Sequence, residues 1–222
     1  MKGPGKWFLA IGMYHAVLSL YTLLYIRPGT MNGARDPIEQ ATWLMSHRLA
    51  FSIGWLGWAA ATLSLVAFFY LMRGELGASL KPMMTIALLM AVMGAVPDMT
   101  GGVIYGALLP QLIKGGTMAP FSFEFIQFGT LERLAVFLNA GLNNLLYALG
   151  GFILVAALAR SQRASPAVTL LNWLTWISAL GLSAAAFLLA QTWIFVMAAA
   201  CMATFVALCL TLAWGPLKAV SE

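Results

Sequence analysis

Six apolar segments, each about as long as a bilayer is thick, are the feature that most constrains the fold of this chain. They span residues 7–26, 49–72, 83–109, 131–159, 168–190 and 193–215. A helix needs about 20 mostly apolar residues to cross the hydrocarbon core. The segments lack the alternation of polar and apolar residues that a barrel strand requires. The sequence therefore predicts an all-α integral membrane protein, with six transmembrane helices in one bundle and a single domain over residues 1–222.

Composition supports the same class. Hydrophobic residues make up 62% of the chain and charged residues only 9%, whereas a soluble domain carries about 25% charged residues. The net charge of +5 comes from cations scattered at segment ends, which are typical topology signals and form no nucleic-acid-binding stripe. The expected partners are thus membrane lipids, not nucleic acid. The first segment carries no small-residue cleavage site, so we expect it to stay as a helix.

The distribution of lysine and arginine predicts the orientation. Cytoplasmic connections are enriched in these residues. With the N-terminus inside, seven cations fall on the cytoplasmic side and five on the outer side; the inner set is Lys2, Lys6, Arg73, Lys81, Arg160, Arg163 and Lys218, and the outer set is Arg27, Arg35, Arg48, Lys114 and Arg133. We therefore expect both termini to be cytoplasmic, in the inner membrane of a bacterial cell.

Asp98 is the most informative single residue. It follows Pro97 inside the third apolar segment, and an ionisable group within a membrane helix marks a functional site or a buried ion pair. Counted from Met83 at about 1.5 Å per residue, Asp98 lies about 22 Å across, in the outer leaflet. Pro97 predicts a kink, and Gly101 and Gly102 follow. A kinked, glycine-rich helix with an acid at the bend is typical of a cavity wall, although small residues also allow plain close packing.

A polar stripe runs along the fourth segment. Glu132, Asn139, Asn143 and Tyr147 follow one another at spacings of seven, four and four residues, which places them on one helix face. Such a face must contact protein or water rather than lipid. Hydrogen bonds between helices would explain the asparagines alone, worth about 0.6 kcal/mol each. With Glu132, the stripe also fits the wall of a substrate-binding pocket.

Several further residues are candidates for that pocket. Arg48 stands at the outer end of the second segment, where it either reaches the headgroups or turns inward to pair with Asp98 or Glu132; Arg133 is a second cation beside Glu132. Trp55 lies deeper and is a candidate wall residue. The third connection, residues 110–130, contains aromatic residues around Glu124 and resembles a lid or a segment lying on the bilayer.

Cofactor and metal signals are weak. His15 lies at mid-depth on the first segment and leaves haem open as an alternative, because one histidine can serve as the proximal ligand. His47 lies near the outer surface, too far for bis-histidine ligation, and no ligand has zinc-type spacing to either histidine. Cys201 and Cys209 are eight residues apart on one helix and are expected to pack. We therefore predict no metal site and no cofactor.

Three functional hypotheses follow. The first is a site for a lipid or apolar small molecule, open to the outer leaflet, in which Asp98 and Glu132 perform acid–base chemistry such as isomerisation, cyclisation or epoxide opening. One carboxyl would stay protonated by desolvation while Arg48 or Arg133 keeps the other ionised. The second is a non-catalytic subunit of a larger membrane complex, and the third is a transporter, which the absence of internal repeats disfavours. A homo-oligomer is left open. A cavity of several hundred Å³ beside the acids would favour the first hypothesis.

Overall fold

The structure is a computed structural model that describes residues 3–31, 36–113, 122–215 and 217. Nine α-helices lie within these ranges. They are α1 (Gly5–Tyr21), α2 (Pro37–Ser46), α3 (Arg48–Glu75), α4 (Lys81–Val103), α5 (Leu109–Leu112), α6 (Phe123–Val136), α7 (Asn143–Ser161), α8 (Pro166–Phe187) and α9 (Gln191–Trp214). Three π-helical segments, Thr22–Ile26, Ile104–Leu108 and Phe137–Leu142, follow α1, α4 and α6, and two 3-10 turns lie at Arg27–Gly29 and Ala78–Leu80.

Six continuous helical stretches are long and apolar enough to cross a membrane, which confirms the predicted all-helical architecture of a multi-pass membrane protein. We call them spans 1 to 6, in the order Gly5–Gly29, Arg48–Glu75, Ala78–Leu112, Phe123–Ser161, Pro166–Phe187 and Gln191–Trp214. Their ends lie close to the predicted ones, with one larger difference. Span 4 begins at Phe123, because the Ser122 side chain accepts a hydrogen bond from the Phe125 amide at 3.1 Å and caps the helix.

This early start changes the predicted third connection. Phe123, Glu124 and Phe125 form the first turn of a helix rather than part of a loop. Residues 114–121, which make up most of the rest of that connection, lie outside the described residues. Pro97 lies inside α4, which continues to Val103. The kink there and the cytoplasmic placement of the termini remain predictions.

The six spans form a closed ring. Each packs against the span before and after it in the chain, and span 6 returns to span 1. Neighbours are antiparallel, as hydrogen bonds along spans 2 and 3 show: Ser52 bonds to Gly106, Thr62 to Asp98, and Arg73 to Thr85. A ring of six helices leaves space on its axis, and side chains or a cavity must fill that space.

Aromatic side chains fill one part of the axis. Phe68 lies 5.2 Å from Phe205 between ring centroids, Phe69 lies 5.4 Å from Trp176, and all four rings are buried. They come from spans 2, 5 and 6. We call this group the aromatic plug, and it bounds the axial space on the side of the ring where α1 begins.

A helix in the connection between spans 1 and 2, α2, covers the other end. The Asp36 carboxylate caps α2 by accepting from the Ile38 and Glu39 amides at 2.8 and 3.1 Å. Leu44 of α2 is buried in one cluster with Ile26 and Phe51. The Asp-Pro-Ile-Glu sequence, with a cap residue, proline at the first helical position and an acid in the first turn, is a helix-start signal.

Candidate functional site

A cavity of about 380 Å³ lies inside the ring, and all six spans contribute to its wall. Its position follows from two aromatic contacts between spans 1 and 6. His15 packs against Phe205 at 4.9 Å, and twelve residues later Arg27 packs over Phe195 at 4.0 Å. At about 1.5 Å per residue, the cavity runs about 18 Å along span 1. Its volume lies within the usual range for a small-molecule site.

Asp98 lies on the cavity wall and accepts three hydrogen bonds. Thr62 Oγ1 and the Tyr147 hydroxyl donate to Oδ2 at 2.7 and 3.0 Å, and Asn139 Nδ2 donates to Oδ1 at 2.5 Å. All three donors are neutral. A carboxylate offers about four lone-pair sites for such bonds, so the neighbouring side chains hold Asp98 in place on the cavity wall.

Two glycines bring α4 close enough for these bonds. A Cβ at Gly94 would lie 2.6 Å from Tyr147 Cε1, and a Cβ at Gly101 would lie 2.7 Å from Asn139 Cβ. Gly94, Asp98 and Gly101 share one helix face, because they are separated by four and three residues. Small residues therefore set the spacing between spans 3 and 4 around the acid, as they do at many contacts between membrane helices.

Asn143 and Asn144 extend the polar wall. Asn143 is buried and lines the cavity beside Asn139, as the sequence predicts for both residues. Asn143 Oδ1 accepts from the Asn144 amide and side chain at 2.6 and 2.9 Å. With Tyr147, four polar side chains of span 4 thus face the cavity together.

Glu132 lies away from this wall. Its Oε1 accepts from the Met31 amide at 2.6 Å and from Gln40 Nε2 at 2.5 Å, and it is not among the cavity-lining residues. The π-helical segment Phe137–Leu142, which contains Asn139, lies between Glu132 and Asn143, and its wider turns break the regular spacing on which the prediction of one shared face depended. Glu132 instead joins span 4 to α2 and to the end of span 1.

We expect this joint to be structural. Glu132→Ala removes the acceptor of two buried donors, which should cost about 2–4 kcal/mol of unfolding free energy, whereas Glu132→Gln keeps an acceptor oxygen and should cost about 1 kcal/mol or less. Thermal denaturation in detergent distinguishes the two. Equal losses in both variants would show that the negative charge, not the hydrogen bonds, matters at this position.

The two predicted cationic partners lie at the surface. Arg48, the first residue of α3, and Arg133 are both exposed, and no hydrogen bond or ion pair joins either of them to Asp98 or Glu132 in the described part of the chain. The inward turn proposed for Arg48 is therefore not what the structure shows. Long cationic side chains at helix ends reach the aqueous boundary at low cost.

Trp55 lines the cavity and is held by an aromatic neighbour. Its ring stacks on Tyr105 at 4.4 Å with an interplanar angle of 4°. Trp58 also lines the cavity, and its Nε1 donates to Thr22 Oγ1 at 3.0 Å. Two tryptophans from span 2 thus form an apolar wall between spans 1 and 3.

His15, the haem candidate, lines the cavity near Asp98. Its Nε2 lies 2.9 Å from Ser64 Oγ, and Ser64 is two residues from Thr62, the partner of Asp98. His15 and Asp98 are therefore at similar depth. No group of three or more histidine, cysteine or acidic residues in the described ranges is placed to hold a metal, and haem ligation by His15 remains a proposal without further support.

Thr62 and Arg27 are among the wall residues that the sequence did not predict. Thr62 was missed because a threonine in a membrane helix most often bonds its own backbone, and its Oγ1 does lie 3.1 Å from Trp58 O. Arg27 was counted only as an orientation signal, but span 1 continues helically to Gly29 and carries Arg27 onto the cavity wall. The continuation of the apolar pattern through Tyr25 and Ile26 was the available signal.

Comparison with known proteins gives no match: no family model, no curated protein and no solved structure matches the chain.

Proposed function

We propose that this multi-pass membrane protein binds a lipid or an apolar small molecule in the cavity of the ring, with Asp98 as the polar group that orients it. The main support for this proposal is the position of Asp98, which is a buried carboxylate on the wall of a cavity of about 380 Å³. Ligand pockets of this kind are mostly apolar with a few convergent polar groups. Here Trp55, Trp58 and Trp176 supply apolar wall, and Asp98 with the asparagines supplies the polar part.

The rim of the cavity supports access from the lipid phase. Leu23 of span 1 and Ala199 and Ala203 of span 6 line the cavity and are exposed. These three residues lie where the wall between spans 1 and 6 meets the surface that lipid tails would cover. A ligand dissolved in the bilayer would therefore reach Asp98 without crossing water.

The chemistry that the wall supports best is proton transfer to or from the bound molecule. Asp98 would act as the acid or base, as the sequence analysis proposed. Glu132 does not line the cavity, so the second proton-transfer group would be Tyr147, bonded to Asp98, or His15. Positioned acid–base groups contribute about 10²–10⁴-fold to a rate. Isomerisation, cyclisation and epoxide opening on an apolar substrate all belong to this class.

A second function stays in competition because of one observation. The three bonds to Asp98 join span 3 to spans 2 and 4, as a purely structural tie between helices would. A non-catalytic subunit of a larger membrane complex needs only that tie. Such a subunit does not need a cavity beside Asp98, so the presence of the cavity favours the binding function.

Native mass spectrometry of gently purified protein, with an absorption spectrum, tests the proposal. We expect a stoichiometric small molecule that leaves on collisional activation, and the spectrum would reveal a pigment or haem. A ligand-free protein that co-purifies with a stoichiometric protein partner would contradict the proposal and favour the subunit.

A further inference from the structure

Arg27 gives the cavity a charged end, and its surroundings are unusual for a cation. It is the one lysine or arginine among the described residues that line the cavity. Its guanidinium carbon lies 4.0 Å from the centroid of the Phe195 ring, a cation–π contact. Its Nε is buried and has no hydrogen-bond partner in the described part of the protein. A buried donor of a charged group without a partner is costly, so its presence calls for an explanation.

The two polar ends of the cavity differ in what they can bind. Arg27 and Asp98 are far apart along the axis, because Asp98 lies at the depth of His15, twelve residues or about 18 Å from Arg27 along span 1. The Asp98 end presents an acceptor among neutral donors. The Arg27 end presents guanidinium N–H groups, a geometry that matches a carboxylate or a phosphate. Apolar wall, including Trp58 and Ala198, lies between them.

We infer that the ligand is a single-chain amphiphile with an anionic head group, bound with its head at Arg27 and its far end at Asp98. This inference rests on the proposed function and specifies its substrate class. The Phe195 ring contacts the guanidinium group, and the unpartnered Nε–H is a donor that an oxygen of the head group would satisfy. An elongated cavity about 18 Å long accommodates an extended chain better than a compact ring system.

The test compares head groups on the same chain. The probes are hexadecanoic acid, hexadecyl phosphate, hexadecanol and methyl hexadecanoate, titrated against the purified protein in non-ionic detergent by native mass spectrometry. We expect the anionic probes to bind about ten- to a hundredfold more tightly than the two neutral ones, the range for hydrogen bonds to a charged group. Preference between the acid and the phosphate identifies the type of head group. Because this comparison uses the unaltered protein, it does not depend on the folding of a variant.

Two variants test whether Arg27 causes the preference for anionic head groups. Arg27→Met keeps the length of the side chain and removes the charge, and it should abolish the difference between anionic and neutral probes. The matched control is Arg133→Met, because Arg133 is exposed and does not line the cavity; this variant should leave the difference intact. Equal binding of all four probes to the unaltered protein, or a preference that survives in Arg27→Met, would overturn the inference while the proposed function stands. Failure of every probe and of every co-purified molecule to bind would instead overturn the proposed function.

Discussion

Gly151→Ala is expected to be the most destabilising single-methyl addition in the ring. A Cβ at this position would overlap Cδ2 and Cγ of the Trp176 indole, an overlap that no packed structure tolerates. The indole has little room to retreat, because its Nε1 donates to Asn172 Oδ1 at 2.7 Å and its ring packs on Phe69 in the aromatic plug. Overpacking of this kind costs about 1–3 kcal/mol and occasionally more, and we expect about 3 kcal/mol or more here.

Two other glycines provide matched controls. A Cβ at Gly74 of α3 or at Gly129 of α6 would meet nothing within 4 Å, so alanine there should stabilise the helix by up to about 1 kcal/mol. Thermal denaturation in detergent, followed by size-exclusion chromatography, compares the three variants. A melting temperature for Gly151→Ala equal to that of Gly129→Ala would show that the spans can separate at Trp176, and the description of the plug as tightly packed would be wrong.

Replacing Asp98 is expected to separate its structural role from its chemical one. Asp98→Leu leaves Thr62, Tyr147 and Asn139 without their acceptor inside the ring, and each unmade bond costs about 1–3 kcal/mol. Asp98→Asn keeps a side-chain oxygen for Asn139. The Thr62 hydroxyl can then donate to Trp58 O, which lies 3.1 Å away, and accept from the new amide. We therefore expect Asp98→Asn to fold with a loss of about 1 kcal/mol or less and Asp98→Leu to lose at least about 3 kcal/mol.

The functional effect of Asp98→Asn should be large although its effect on stability is small. An amide neither gives nor takes a proton, so Asp98→Asn should reduce turnover of the bound molecule by about 10²-fold or more while stability is nearly unchanged. The experiment measures the melting temperature of Asp98→Asn and, separately, its rate of product formation from the ligand that mass spectrometry identifies. Unaltered turnover in Asp98→Asn would remove Asp98 from the chemistry, and a large loss of stability in Asp98→Asn would show that its charge is needed for the fold.

The sequence predicted the architecture and part of the site for clear physical reasons. Apolar length and helical rise place Asp98, Asn139 and Tyr147 at compatible depths, and the structure brings them together. The spacing of Asn143 after Asn139 likewise placed both on the cavity wall. Asp98 and Tyr147 lie inside regular α-helix, where depth and face follow from residue number.

The positions of Glu132, Arg48 and Arg27 depend on structural features that residue spacing in the sequence does not determine. Glu132 precedes the π-helical segment Phe137–Leu142, whose wider turns displace it from the face of Asn143 and Tyr147. Arg48 stands at a helix end, where an inward or outward turn is decided by the side-chain torsions alone. Arg48 is exposed, whereas Arg27 of span 1 lines the cavity. The positions of the two arginines in the sequence do not show which of them faces inward.

Native mass spectrometry of variants whose cavity is filled by a larger side chain tests whether the bound molecule lies inside the ring. Ala198 lines the cavity on span 6, whereas Ala156 of span 4 is exposed and does not; Ala198→Trp and Ala156→Trp therefore add the same side chain inside and outside the ring. We expect a bound small molecule on the unaltered protein and on Ala156→Trp, and its loss from a folded Ala198→Trp. A molecule retained in equal amount on all three proteins would lie outside the cavity, and the ring would then not be its binding site.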